Sequence, residues 1–285
     1  MIFKTEPLFE MRKHRILFVA HEMDPYVMLT DVARIARALP QAIQEKGMEI
    51  RVLMPRYGLI NERRHRLHEV VRLSGINVVI GDNDNPLIIK VASLPQAKMQ
   101  VYFLDNEDYF QRKYSLRDAN EKFFEDNHER MIFFNKGVLD TVVKLGWSPD
   151  IIHCNGWMTS LIPLYIRKLY HDNPIFKDTK VVYSVYGSHF EERLPEDFIS
   201  KACYEDMTES DLSLFTDLDC NAMYRGGATF ADAIVIGQDN IDPTVLSHVH
   251  SLSDKPILMH QENEQWADHY FDLYQRILSN QSVLI

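Results

Sequence analysis

RILFVAHEMDPYVMLTDVARIARALPQAIQEKGMEIRVLMPRYG, residues 15–58, reads as strand, helix and strand in succession. ILFVAH (16–21) is a short apolar run of the kind that fills a parallel sheet covered on both faces. Val32, Ile35, Ala36, Leu39 and Ile43 then recur at helical spacing until Gly47 supplies a stop. Asp31, just ahead of the periodic positions, reads as the helix N-cap. Pro40 removes a backbone donor inside the helix and predicts a kink. Outward from this unit, strands are predicted at EVVRL (69–73), LIIKVAS (87–93), MQVYFLD (99–105), DIIHC (150–154), KVVYSVY (180–186) and DAIVIG (232–237). Helices are predicted over 126–145, 159–171 and 261–279. The alternation implies an α/β fold with a mainly parallel sheet, and no repeat or linker divides it.

The chain has 285 residues, 46% apolar and 25% charged, which suits a globular protein with a sizeable core. Its formal net charge of −10, with no block of Lys and Arg, lacks the electrostatic footprint of a nucleic-acid or anionic-lipid partner. Cys154, Cys203 and Cys220 have no metal-ligand spacing and suit a reducing compartment as small apolar side chains. MIFKTEPLFEMRKHR has no signal-peptide core and no run is long enough to span a membrane, so a cytoplasmic location is expected. Residues 1–14 read as an extension, with Met1 and Met11 both open as the start. HExxH, CxxC, GxSxG and Walker patterns are all lacking, and neither a metal nor a cofactor is expected.

The 15–58 unit and four later segments in order resemble the bacterial glycogen and starch synthases. Those segments are VYFLDNEDYFQRKYS (101–115), DNHERMIFFNKG (126–137), LGWSPDIIHCNGW (145–157) and GGATFADAIV (226–235). The resemblance covers most of residues 15–237. It implies a Rossmann-like lobe with helices on both faces of the sheet, equivalent to the N-terminal, acceptor-side lobe of a two-lobed, GT-B type glycosyltransferase. The family's activity is transfer of glucose from ADP-glucose to an α-1,4-glucan. After Ile236 only 49 residues remain, so a second lobe carrying the donor-binding arginine, lysine and acidic residue is expected to be missing. ADHYFDLYQRIL (267–278) resembles the last helix of full-length synthases. The expected division is therefore an extension at 1–14, a lobe at 15–260 and a C-terminal helix at 261–285 packing back through Tyr270, Leu273, Tyr274 and Ile277.

The family's motifs also change here. Its KTGGL-type loop, where a lysine and helix N-terminal amides cradle phosphate, is represented by Met28, Leu29, Thr30, Asp31 and Val32, which lack the cation and the glycines. Its HAHDWH segment reads HCNGWM, keeping His153 and Trp157 but placing Asn155, Gly156 and Met158 at the other positions. TIHN becomes Ser184, Val185, Tyr186 and Gly187, and VSPTY becomes Gly237 to Ile241. No catalytic set is intact. Candidate cleft or glucan contacts by resemblance are Glu22, Tyr26, His153, Asn155, Trp157, Arg225, Gly226 and Gly227. Structural alternatives stand beside them: a strand-end carboxylate for Glu22, a satisfied core imidazole for His153, a core ring for Trp157, and turns and caps for the glycines. Asp105, Asn106, Asp126, Asn127 and Arg130 suit caps and ion pairs. The expected function is a synthase-like protein, inactive alone, that binds α-glucan or another carbohydrate, or regulates glycogen metabolism. ADP-glucose is the weaker ligand. The alternatives are a transferase subunit completed by a partner donor lobe and a self-associating scaffold, and a homo-oligomer or protein partner is expected.

Overall fold

The computed structural model describes residues 12–94, 97 and 99–279. Most of the extension at 1–14, including Met1 and Met11, and the end of the segment 261–285 lie outside the described residues.

The opening unit forms as β1 (Arg15–Ala20), α1 (Val32–Glu45) and β2 (Glu49–Pro55). β1 is buried from Ile16 onward, as a strand with neighbours on both edges and helices on both faces must be. α1 turns Val32, Ala36, Leu39 and Ile43 inward and runs through Pro40 without interruption. Pro40 is itself buried, and the chain leaves the helix at Gly47, whose φ is +96°.

Next come α2 (Glu62–His65), β3 (His68–Glu69), β4 (Ile76–Ile80), β5 (Asn83–Leu94) and β6 (Met99–Asp105). α3 (Glu107–Phe110), α4 (Asn127–Leu145), β7 (Ile151–Asn155), α5 (Leu161–Lys168) and β8 (Lys180–Val185) follow. The described chain ends with α6 (Phe198–Ala202), α7 (Cys220–Phe230), β9 (Ala233–Ile236), α8 (Pro243–Ser251), β10 (Ile257–Leu258) and α9 (Trp266–Ser279). The strand order is β10-β9-β8-β7-β1-β2-β6-β5-β3, with β4 paired to β5. Neighbours from β10 to β6 run parallel, and β5 runs antiparallel to β6, β3 and β4. In the middle of the sheet Phe18 sits level with Val52 on one side and His153 on the other.

α1 packs against β1 and β2, while α4 packs on α5 and α5 on α7. α9 packs on α1, and its inward side chains are Tyr270, Leu273, Tyr274, Ile277 and Leu278. EVVRL does not form the predicted strand. Glu69 pairs in register with β5 and the Val70 amide donates to the Ile89 carbonyl, but the amides of Leu73 and Ser74 then bond back to the Val70 carbonyl in a turn that leaves Val71 in solvent. The helix predicted at 159–171 spans 161–168, preceded by a 3-10 turn at Trp157–Thr159. No helix among the described residues is long and apolar enough to cross a membrane. Cys154 and Cys220 are buried, Cys203 is partly so, and all three are free thiols.

Candidate functional site

β1 lies between β2, reached through α1, and β7, reached from the other edge, so the loops leaving the carboxyl ends of β1 and β7 diverge. Open α/β sheets bind ligands at such a switch point. A cleft of about 540 Å³ opens there. His21, Leu29 and Thr30 line it from the β1 loop, Tyr114, Arg117 and Phe123 from the segment before α4, and His189 from the loop after β8.

The β1 loop is organised by Glu22, whose side chain is fully buried. Its Oε2 accepts from the amides of Leu29 at 2.8 Å and Thr30 at 2.7 Å, and its Oε1 accepts from the Thr30 hydroxyl at 2.6 Å. Thr30 Oγ1 accepts in turn from the Val32 amide at 3.1 Å. The loop amides just ahead of α1 are thus engaged by an internal anion, and the first helical amides of Val32 and Ala33 bond to the Thr30 hydroxyl and carbonyl oxygens. Burial raises the Glu22 pKa, opposed by the Thr30 and Leu29 hydrogen bonds. Asp31 does not cap α1 through its side chain, which corrects the sequence expectation. Its backbone is already in the right-handed helical region (φ −66°, ψ −16°), the Thr30 hydroxyl does the capping, and the Asp31 carboxylate lies 3.3 Å from Arg34.

Two histidines approach this carboxylate. His21 Nε2 lies 3.6 Å from Glu22 Oε1, and the His21 and His189 rings stand nearly perpendicular at 6.2 Å. Burial lowers both pKa values to about 4, so both rings are neutral at pH 7. Neither His21 Nδ1 nor His189 Nε2 has a hydrogen-bond partner among the described residues. Both nitrogens are buried under the cleft surface. Gly156 makes room for this arrangement. Its φ is +80° and a Cβ would stand 3.3 Å from the His21 ring, so no L side chain fits easily where the family has aspartate.

The remaining predicted residues lie beneath or away from the cleft. Trp157 is fully buried, edge-on to Phe190 at 4.8 Å and 6.4 Å from Phe123, one layer under the lining. Its face is not open to a sugar; the exposed ring at the cleft is Tyr114. His153 Nδ1 meets the Tyr274 hydroxyl at 2.6 Å and Nε2 meets Ser184 Oγ at 2.7 Å, while burial lowers its pKa to about 3. Asn155 Oδ1 accepts from the Tyr186 hydroxyl at 3.0 Å. Tyr26 packs edge-on to Phe103 and His65, each at 4.9 Å.

Gly226 and Gly227 form no turn. They are inside α7, where a Cβ would come within 2.2 Å of Phe215 and 2.5 Å of Tyr183. Arg225 pairs with Asp217 at 2.5 Å. Of the predicted set, Leu29 and Thr30 line the cleft with the buried Glu22 behind them, and Met28 is exposed beside them. Sequence reasoning missed His21, His189, Tyr114 and Phe123. The switch-point rule applied to the residue after β1 would have found His21.

Residues 15–246 match the family model described as the starch synthase catalytic domain. The glycogen synthase of Chlorobium luteolum is 42% identical over 198 residues, covering 65% of this chain and 40% of its own length. That of Chlorobium limicola is 40% identical over 224 residues, covering 78% of this chain and 45% of its own length. The chain thus spans less than half the length of these curated relatives. Among solved structures, the catalytic domain of starch synthase IV from Arabidopsis thaliana, bound to ADP and acarbose, matches with a TM-score of 0.72 at 15% identity. The match covers 88% of this chain and 52% of that one, and shares its fold.

Proposed function

The chain belongs to the starch synthase catalytic-domain family, and from that premise we propose that it is an α-glucan-binding lobe that does not hold ADP-glucose by itself. The observation that carries this reading is the Glu22 carboxylate seated on the Leu29 and Thr30 amides. A nucleotide diphosphate brought to those amides would meet the buried Glu22 carboxylate already seated on them, and like charges in a dry site are costly. An uncharged glucan meets no such repulsion, and Tyr114 offers an exposed face on which a sugar ring can stack. In this reading residues 15–260 form the lobe, 1–14 an extension, and 261–285 the helical segment that closes it.

Calorimetric titration of the chain with maltoheptaose and, separately, with ADP-glucose tests the proposal. Saturable heat with maltoheptaose alone is the expected result. Saturable ADP-glucose binding, or binding of neither ligand, would overturn it.

A second reading is favoured by a different feature. Met28, Leu29 and Leu59 are exposed large apolar side chains, and two of them line the cleft. Such an apolar rim suits a protein surface that completes a transferase from a second lobe. A separately made donor lobe that co-elutes with this chain and restores glucose transfer would establish that reading; monomeric light scattering and no transfer in the mixture would remove it.

A further inference from the structure

His128 lies in the first turn of α4 and is 3% exposed. Its Nδ1 lies 3.0 Å from the Glu125 carbonyl oxygen. A ring nitrogen facing a carbonyl carries the hydrogen, so Nδ1–H donates and the neutral ring keeps its lone pair on Nε2. Nε2 is buried and makes no hydrogen bond among the described residues. Asp197 Oδ1 is nevertheless only 3.1 Å from it and Glu129 Oε1 3.9 Å. The nearer oxygen is close enough for a hydrogen bond but is not aligned for one. A lone pair set among carboxylate oxygens is repulsive until a cation stands between them.

We propose that His128 Nε2, Glu129 Oε1 and Asp197 Oδ1 form a binding site for a divalent first-row cation, with Zn²⁺ as its probe. The three ligand atoms lie within 4.8 Å of one another. The 3.1 and 3.9 Å separations bracket the edge of about 3.4 Å that a tetrahedron has when its arms are about 2.0–2.2 Å long. Poor hydrogen-bond alignment is what coordination requires, since adjacent ligands point at a common centre and not at each other. Imidazole with carboxylates is also a borderline donor set suited to such ions.

The outer contacts are in place as well. Glu125 fixes the His128 tautomer, and the Tyr109 hydroxyl donates to Glu129 Oε2 at 2.9 Å. Without a metal, Lys201 Nζ bridges Glu129 Oε1 and Asp197 Oδ2. Its side chain is 25% exposed, so the ammonium can swing into water when a dication arrives. Two carboxylates then face two positive charges instead of one. His128 and Glu129 are adjacent in α4 while Asp197 comes from the start of α6, so the full ligand set forms no local sequence motif. The cation ties the segment entering α6 to α4.

Zinc chloride titrated into the EDTA-stripped full chain tests this, with Co²⁺ absorption as a second readout. One equivalent should bind, and Co²⁺ should show the visible bands of a low-coordinate site. His128→Gln and Asp197→Asn should each weaken binding by about tenfold or more, and Lys201→Met should tighten it. Asp239, His260 and Glu262 form a solvent-exposed cluster elsewhere, and His260→Gln should leave the tight equivalent unchanged. Should His128→Gln fail to fold, Asp197→Asn remains decisive because that carboxylate is 47% exposed. Absence of a bound equivalent, or equal affinity after both substitutions, overturns the site.

Discussion

The loops that leave β1 and β7 flank the same switch point, yet they are built oppositely. After β7, Asn155, Trp157 and Met158 are sealed, and Trp157 is wedged among Phe190, Phe123 and His21. After β1, a buried carboxylate holds a loop whose Met28 and Leu29 stand in solvent. One loop has become scaffold and the other still presents a surface. Retention of a motif residue and access to a ligand are therefore separate properties: His153 and Trp157 match the family and touch only protein.

The largest expected effect comes from breaking the sealed side. Trp157→Ala should cost about 3–5 kcal/mol in denaturant unfolding, as removal of a fully buried aromatic does. An intermediate effect is expected from Glu22→Ala, which strips the acceptor from two amides and should cost about 1–3 kcal/mol. The same variant should gain thermal stability from added inorganic phosphate, where the parent chain gains none; equal phosphate responses would break the contrast between the loops.

Acid should act on both sides. His21, His153 and His189 have folded pKa values near 4, 3 and 4, below the unfolded value of about 6.5. The unfolded chain therefore takes up protons first. Their stabilising contribution is whole above pH 6.5 and falls by up to about 1.4 kcal/mol per group for each pH unit below that, until the folded values are reached. Melting temperature measured from pH 7 to 5 should drop, and His189→Asn should flatten the slope. The smallest effect is Tyr114→Ala, expected to weaken maltoheptaose binding by about 1 kcal/mol with stability changed by no more than about 0.5 kcal/mol.

The core of the fold was legible because β1, α1 and β2 carry clean apolar periods, and so do β6 to β9. The β4–β5 hairpin was not, since the polar stretch GDNDNP between INVVI and LIIKVAS reads as loop although Ile80 and Asn83 pair across it. α7 was hidden by its own glycines, which read as turn signals but serve as close-approach points for Phe215 and Tyr183. At the site, the departure from the KTGGL pattern was legible and its replacement was not. That Glu22 folds back onto amides seven and eight residues downstream depends on the loop's path, which no spacing rule encodes. His21 and His189 meet only because β1 and β8 sit two places apart in the sheet.

The hydrogen bond between His153 and Tyr274 joins the central sheet to α9 across 121 residues. During synthesis, β7 leaves the ribosome long before its partner helix exists. Its imbedded imidazole must wait with one nitrogen unsatisfied, and Tyr270, Leu273 and Ile277 are not yet there to cover that face. Docking of α9 onto the sheet therefore comes after β7 in vectorial folding, a late and non-local step of the kind that leaves nascent intermediates open to proteases and chaperones. Arrested nascent chains released at residue 265 should be cleaved readily in pulse proteolysis, and chains released beyond residue 279 should resist; equal resistance would mean that the sheet closes without α9.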